Sequence, residues 1–366
     1  MSPSNRQHLE MAYSVAMESH LTSPVLPAFT IQHFNDVTPK FMCVNFLLLL
    51  ENMATMCYLS DVHFWKRAQT EERERERNLS YMKPIRHDSW IARAMSFLPD
   101  SMYLAIRHRY TRGRWPSLSN PKHFNEHILH NLLTRDEAEL RSLISDKFSV
   151  RENIREIVGA EHLTDLYATW DGTSAFPLDS LPDAFVAKPN HASGPVKLVR
   201  DKSELNPVEF EELCRKWLAI DHAGLTREYV YARFPPRIIF EELLADPNSD
   251  DIPNDYMFFV IKGVVRLISV TSNEHYLDQG FFFDPDWNQL PISRQEAPRG
   301  ARPAMPPNFE KMMVLAVKLS QGLNFLRVDF YDLGDRLIVG ELTNFPEGAN
   351  QHFDTETDRF YGRFFQ

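Results

Sequence analysis

Two short stretches near the C-terminal end carry the residue types best suited to chemistry. In Phe325-Leu326-Arg327-Val328-Asp329-Phe330-Tyr331 the strand period of two puts Arg327, Asp329 and Tyr331 on one face. Glu341 and Thr343 share a face of the following stretch, Arg336 to Leu342. A turn through Asp332-Leu333-Gly334-Asp335 can bring them opposite Asp329. Two carboxylates and a neutral oxygen on adjacent strands make an oxygen-only donor set. Mg²⁺ takes such sets, completing its shell with water and phosphate oxygens. The other reading is an Arg-Asp pair on a half-exposed sheet face. The polar run Thr343-Asn344-Phe345-Pro346-Glu347-Gly348, closing directly on the carboxylates, weighs against it.

A second constellation is Val186-Ala187-Lys188-Pro189-Asn190-His191-Ala192-Ser193-Gly194. A lysine ending an apolar strand, followed by a small-residue polar loop, can set one ammonium and several backbone N–H groups around phosphates. The stretch does not match the P-loop pattern. His191 reads as a general base, as a metal ligand, or as a solvated loop histidine. A third is Ile238-Ile239-Phe240-Glu241-Glu242-Leu243-Leu244, an apolar strand ending in acid. Such an acid can accept from an adenine amino group or a ribose hydroxyl; the alternative is a strand edge carrying solubilising charge.

These residues need strands and helices to hold them. The patterns predict helices over Asn35 to Leu59, Ser89 to Arg109, Phe124 to Leu133, Glu137 to Val158 (closed by Gly159), Val208 to Ile220 and Phe309 to Gln321. Strands are expected at Ala184 to Lys188, Val196 to Val199, Arg237 to Leu244, Tyr256 to Val260, Val264 to Val270, Phe325 to Tyr331 and Arg336 to Leu342. The strands come as antiparallel pairs without βαβ alternation, an α+β arrangement.

Composition sets the outer bounds. The chain has 366 residues, 43% hydrophobic and 25% charged, which is ordinary for a soluble globular protein of two to three domains. A net charge of −10 argues against gripping nucleic acid. Cys43, Cys57 and Cys214 are too scattered for a disulfide framework or a zinc site, which favours a reducing, cytoplasmic setting. The first thirty residues hold no apolar signal region. The apolar block Phe41 to Leu59 is interrupted by Asn45, Glu51 and Asn52, so a buried helix suits it better than a membrane span. The alternating run Thr70 to Arg77 reads as a solvated helix face. Residues 1–112 contain no glycine, so the two parts of the chain are not built alike.

Taken in order, these pieces resemble the ATP-grasp enzymes, and more closely the TupA-like branch associated with teichuronopeptide and other polysaccharide biosynthesis. The resemblance is carried from about Phe97 onward by Asn120-Pro121-Lys122-His123-Phe124-Asn125-Glu126, by Asp146-Lys147-Phe148-Ser149-Val150-Arg151, and by Leu181 to Gly194. Asp255-Tyr256-Met257-Phe258-Phe259, Arg327-Val328-Asp329-Phe330-Tyr331 and Gly340-Glu341-Leu342-Thr343 complete it. It implies antiparallel sheets with flanking helices and a nucleotide cleft between two subdomains, behind a mainly helical N-terminal region. The implied divisions are 1–96 as an extension, 97–180 as the first part of the ATP-grasp region, 181–244 as the lid and nucleotide subdomain, and 245–366 as the Mg/ATP catalytic subdomain.

The resemblance also implies roles. Lys188 would bind α- and β-phosphate oxygens, and the loop Asn190, His191, Ser193 and Gly194 would fold over the triphosphate. Glu241 would be the hinge acid near the adenine, Leu243 and Leu244 would line the base pocket, and Asp255 would hold the ribose. Asp329, Glu341 and Thr343 would be the Mg²⁺ ligands, and Arg327 would face the transferred phosphate. The implied activity is ATP- and Mg-dependent ligation of a small or polysaccharide-precursor carboxylate to an amine through an acyl phosphate. A kinase-like phosphotransferase and a nucleotide-binding protein without turnover are the alternatives. The chain departs from the family pattern at Met257, where lysine is usual, with Lys197 and Lys262 as candidate substitutes. It departs also at Ala192, Pro195, His123, His127 and Thr271-Ser272-Asn273-Glu274.

Overall fold

The chain divides into two units, Met1–Leu79 and Ser80–Gln366. The computed structural model describes residues 97–246, 252–271, 280–292 and 302–366, all in the second unit. The expected helix over 35–59, the charge run 70–77, Cys43 and Cys57 lie outside the described residues.

Helix α1 (Asp100–Arg112) starts later than expected and runs three residues further. Helix α2 (Phe124–Thr134) begins where the Glu126 carboxylate accepts the backbone N–H groups of Lys122 (2.9 Å) and His123 (3.2 Å), a first-turn acid satisfying donors that the helix leaves unpaired. The single helix expected over 137–158 is two, α3 (Ala138–Ser145) and α4 (Val150–Val158). The Asp146 side chain stops the first by turning back on Phe148 N (3.0 Å) and Ser149 Oγ (2.6 Å).

Next come β1 (Leu166–Trp170), β2 (Phe185–Pro189), β3 (Lys197–Val199), α5 (Pro207–Leu218), α6 (His222–Thr226) and β4 (Ile238–Glu241). Asn206 caps α5 through Val208 N, and Pro207 occupies its first turn. The second half holds β5 (Asp255–Ile261), β6 (Val264–Thr271), β7 (Gly280–Phe283), α7 (Phe309–Leu319), β8 (Phe325–Asp332), β9 (Leu337–Thr343) and α8 (Thr355–Gly362). Strands β1 and β7 and helices α6 and α8 were not expected from the sequence.

All strand pairs are antiparallel. The smaller sheet runs β1-β4-β2-β3 and the larger β7-β6-β5-β8-β9. In the smaller sheet, Trp170, Phe185, Ala187, Ile238 and Phe240 pack on Phe210, Cys214 and Trp217 of α5. The alternation that buries them turns Val186, Lys188 and Glu241 to the other face. In the larger sheet, Phe258, Val260, Ile268, Val328 and Phe330 meet α4 and α7. Its second face is divided. Phe259, Ile261 and Phe325 pack beneath Leu104, Phe124, Ile128 and Leu129, while the row nearer the β8–β9 hairpin is charged. No helix among the described residues is long and apolar enough to cross a membrane.

Candidate active site

The charged row is a consequence of register. Strand β8 pairs with β9 as Arg327 with Thr343 and Asp329 with Glu341, so all four side chains leave the same face. Strict alternation along β9 would put Glu341 with Leu337 and Val339, both buried in the core. A bulge at Gly340 prevents this by shifting the phase of the strand between Val339 and Glu341. The position calls for glycine because a Cβ there would stand 2.6 Å from the Tyr331 ring. On the other side of β8, Asp255 pairs with Tyr331 and Met257 with Asp329, which adds Asp255 to the charged row and sets buried Met257 beside Asp329.

Basic groups face the acids of this region. Arg327 grips Asp329 through both ends of its guanidinium, Nε to Oδ1 at 2.8 Å and Nη2 to Oδ2 at 2.6 Å, and lies 3.7 Å from Glu341. Burial works against the Arg327 charge, but Asp329 and Glu341 outweigh it and raise its pKa. Lys147 Nζ sits 3.3 Å from Glu341 Oε1 and donates to the Ala192 carbonyl at 3.1 Å. Desolvation would raise the Glu341 pKa, yet Lys147, Arg327 and Lys188 hold it below the ordinary carboxylate value.

Across the cleft, Lys188 Nζ is 2.8 Å from Glu241, whose other oxygen accepts from Thr164 Oγ1 at 2.7 Å and lies 3.4 Å from Arg151. Burial opposes ionisation of Glu241, and these partners still lower its pKa. Glu241 is buried on a central strand, so the solubilising-edge reading does not hold. The expected strand Arg237 to Leu244 ends at Glu241, and the chain leaves it through half-buried Leu243 and buried Leu244.

The loop after Lys188 divides in two. Asn190 is fully buried and works as a lock, donating to Asp146 Oδ1 (2.8 Å) and accepting from Arg237 N (2.8 Å). His191 is also buried, against the solvated reading, and burial lowers its pKa. Ser193 is exposed and Gly194 has φ +114°, so the exposed tip is the part free to approach a ligand. Neither candidate substitute for a lysine at Met257 is in place. Lys197 pairs with Ala187, on the face opposite Lys188, and Lys262 donates to the Gln366 carbonyl at 2.8 Å.

Lys147 is the ammonium that does reach the row, and it was missed together with Arg151 and Thr164. Its motif, Asp146 to Arg151, lies in a stretch whose helix period continues in sequence, whereas the backbone breaks there between α3 and α4. Asp146 and Ser149, both helix-capping types, were the signal of a break.

The donor set suits Mg²⁺. Asp329 and Glu341 are adjacent carboxylates, and Thr343 Oγ1 beside them is buried with no hydrogen-bond partner among the described residues. No cluster of three or more His, Cys, Asp or Glu side chains suited to a metal occurs among the described residues, so an ion here would need oxygens from a ligand.

Two antiparallel sheets enclosing a cleft of paired carboxylates and lysines are the arrangement of the ATP-grasp class. Residues 127–366, about two thirds of the chain, match the TupA-like ATPgrasp family, and the chain belongs to it. Among solved structures it is similar to D-alanine–D-alanine ligase from Bacillus anthracis complexed with ATP (16% identity, TM-score 0.38, 63% of this chain and 71% of that one). It is similar also to the ATP-grasp ligase PsnB complexed with minimal precursor, Mg and ADP (15%, 0.32, 69% and 64%). A third is N5-carboxyaminoimidazole ribonucleotide synthetase from Thermus thermophilus (12%, 0.35, 60% and 52%), of which the chain spans about half the length. No curated protein sequence matches it significantly.

Proposed function

We propose that this protein is an ATP-dependent ligase that joins a carboxylate to an amine through an acyl phosphate. The observation that supports it most is the in-register row of Arg327, Asp329, Glu341 and Thr343, rimmed by Lys147 and bearing a hydroxyl with no partner among the described residues. Asp329, Glu341 and Thr343 would hold Mg²⁺, which when bound would offset phosphate charge and polarise the transferring group.

The chain's own residues do the rest. Lys188 and Lys147 exchange Glu241 and Glu341 for phosphate oxygens. Glu241, Leu243, Leu244 and Asp255 take the adenosine, and Ser193 and Gly194 cover the triphosphate while Asn190 holds the loop from below. Arg327 moves from Asp329 to the transferring phosphoryl group and then to the oxyanion formed as the amine attacks. No nucleophilic side chain is required. We take uronic-acid or similar polysaccharide-precursor carboxylates, met in the cytoplasm, as the substrates to try first.

Hydroxylamine trapping tests the reaction. With ATP, Mg²⁺ and a panel of uronic acids and amino acids, a ligase yields a hydroxamate and ADP together. ADP without hydroxamate identifies a phosphotransferase, and tight ATP binding with neither product identifies a chain without turnover.

A further inference from the structure

A cavity of about 240 Å³ opens on the smaller sheet, lined by Thr169, Asp171, Ser174 and Arg237. Its place follows from register. Strand β1 pairs with β4 as Thr169 with Ile239 and Trp170 with Ile238, so the next position along sets Asp171 opposite Arg237. Trp170, Ile238 and Phe240 are buried against α5. Alternation therefore turns Thr169, Asp171, Arg237 and Ile239 to the opposite face, the one that carries Lys188 and Glu241. Ile239 pairs with both Thr169 and Lys188, which puts Lys188 two strand spacings, roughly 10 Å, from Thr169.

Opposite charges directly across an antiparallel pair ordinarily close on each other. Here each is held back by another group. Asp171 Oδ1 accepts from Thr173 N (2.9 Å) and Thr173 Oγ1 (2.7 Å). The Arg237 Cζ lies 4.4 Å from the centre of the Phe148 ring, and its Nε is buried with no hydrogen-bond partner among the described residues. The turn between them is braced from outside the cavity. Trp170 Nε1 donates to the Ser174 carbonyl (3.0 Å), Arg215 donates to the Gly172 carbonyl (3.3 Å), and Gly172 takes φ +87°. Asp171 Oδ2, Thr169 Oγ1, Ser174 Oγ and the Arg237 guanidinium are thereby left without a hydrogen-bond or ion-pair partner among the described residues.

A cation and an anion kept apart on one wall, with two hydroxyls between, match a ligand that bears both charges. A lone anion would meet Asp171, and a lone cation would meet Arg237. None of the four lining side chains is apolar, so nothing there favours a large apolar substituent. We propose that this cavity binds the zwitterion of a small α-amino acid. Its carboxylate takes the Arg237 guanidinium, its ammonium donates to Asp171 Oδ2, and the Thr169 and Ser174 hydroxyls complete the hydrogen bonds. The site needs neither ATP nor the row of Arg327, Asp329 and Glu341, so it stands or falls separately from the ligase reading.

Saturation-transfer NMR titrations of the full chain with glycine and with L-serine, in the absence of ATP and Mg²⁺, test it. Acetate and ethylammonium serve as probes that carry one charge each. The expected result is saturable binding of at least one amino acid with Kd below about 10 mM, and each single-charge probe at least ~10-fold weaker. Arg237→Gln and Asp171→Asn should each weaken that binding at least ~10-fold while keeping the wild-type circular dichroism spectrum. Asp171 is exposed, so Asp171→Asn decides the matter alone if Arg237→Gln fails to fold. Acetate bound as tightly as glycine would make this an anion site only and overturn the proposal. Ethylammonium bound as tightly, no saturable binding of either amino acid, or an unchanged affinity in Asp171→Asn would overturn it equally.

Discussion

Lys147 Nζ stands 3.3 Å from Glu341 Oε1 and 3.1 Å from the Ala192 carbonyl, so one ammonium ties the last strand of the larger sheet to the loop that follows Lys188. In the proposed function it would supply the positive charge that Met257, buried beside Asp329, does not. Lys147→Met is expected to weaken ATP binding at least ~10-fold, about 1.4 kcal/mol. Met257→Lys in that background should restore part of the loss. Equilibrium binding of ATP with Mg²⁺ checks both, and an unchanged Kd in the single variant removes Lys147 from the site.

Asp329→Asn and Glu341→Gln each take one carboxylate from the row. Each variant is expected to lose Mg-dependent ADP formation while keeping the wild-type circular dichroism spectrum. Normal turnover by either would displace the metal site from this hairpin.

Glu126 links stability to acid. Burial works against its charge, but the backbone N–H groups of Lys122 and Ser117, with His123 and Arg114, hold its pKa at about 2. The folded value lies below the unfolded one near ~4.3. Its stabilisation is therefore complete above the unfolded pKa and is lost as pH falls from about 4 towards about 2. Glu126→Gln should cost roughly 2 kcal/mol at neutral pH and flatten the acid limb of a urea-unfolding series.

Glu228 has the opposite sign. Its folded pKa of about 7 lies above the unfolded value, so its contribution falls as pH rises from the ordinary carboxylate range through 7. Thermal melts of Glu228→Gln should gain on wild type between pH 5 and 8. A variant that loses ground across that interval would show that the ionised form is the stabilising one.

Gly362 closes α8 against the start of α2. A Cβ there would stand 2.3 Å from the Lys122 carbonyl oxygen and 2.7 Å from His123 Cα, both backbone atoms. Gly362→Ala is expected to destabilise by ~1–3 kcal/mol. The nearby bond from Asn125 N to Asp358 Oδ1 (2.9 Å) should be strained as well, as faster amide exchange at Asn125 would reveal.

The hairpin strands were legible because Arg327 with Asp329, and Glu341 with Thr343, each follow simple alternation within one strand, while the bulge at Gly340 that sets the two pairs on one face has no local pattern. Lys188 and Glu241 were legible as strand ends but not as partners, since their pairing depends on the β2–β4 register, which no local pattern encodes. Lys147 was hidden by a helix period that continues through Asp146 in sequence and stops there in space. Strand β1 was missed because its alternate residues are partly exposed, and β7 because four consecutive buried residues carry no period. Arg107, Arg112 and Arg114 lie before the family-matched segment, yet they bond to Gly348, Gln351 and Asp358 within it. Such long-range contacts leave no local trace.

The bulge at Gly340 makes the site a matter of parity. Arg327, Asp329 and Tyr331 are odd positions of one strand, and Glu341 joins them only because one residue in the neighbouring strand is uncounted by the ladder. Substitutions at solvent-facing positions leave that count alone. Deleting Gly340 would remove the uncounted residue and leave Glu341 opposite Asp329 in a regular ladder, whereas closing the bulge with every residue kept would drive both oxygen-bearing side chains of β9 into the core and turn Leu342 towards the charged row. Tolerance to change along this strand should therefore depend on whether the ladder still skips the one surplus residue between Val339 and Glu341, more than on the chemistry of the solvent-facing positions.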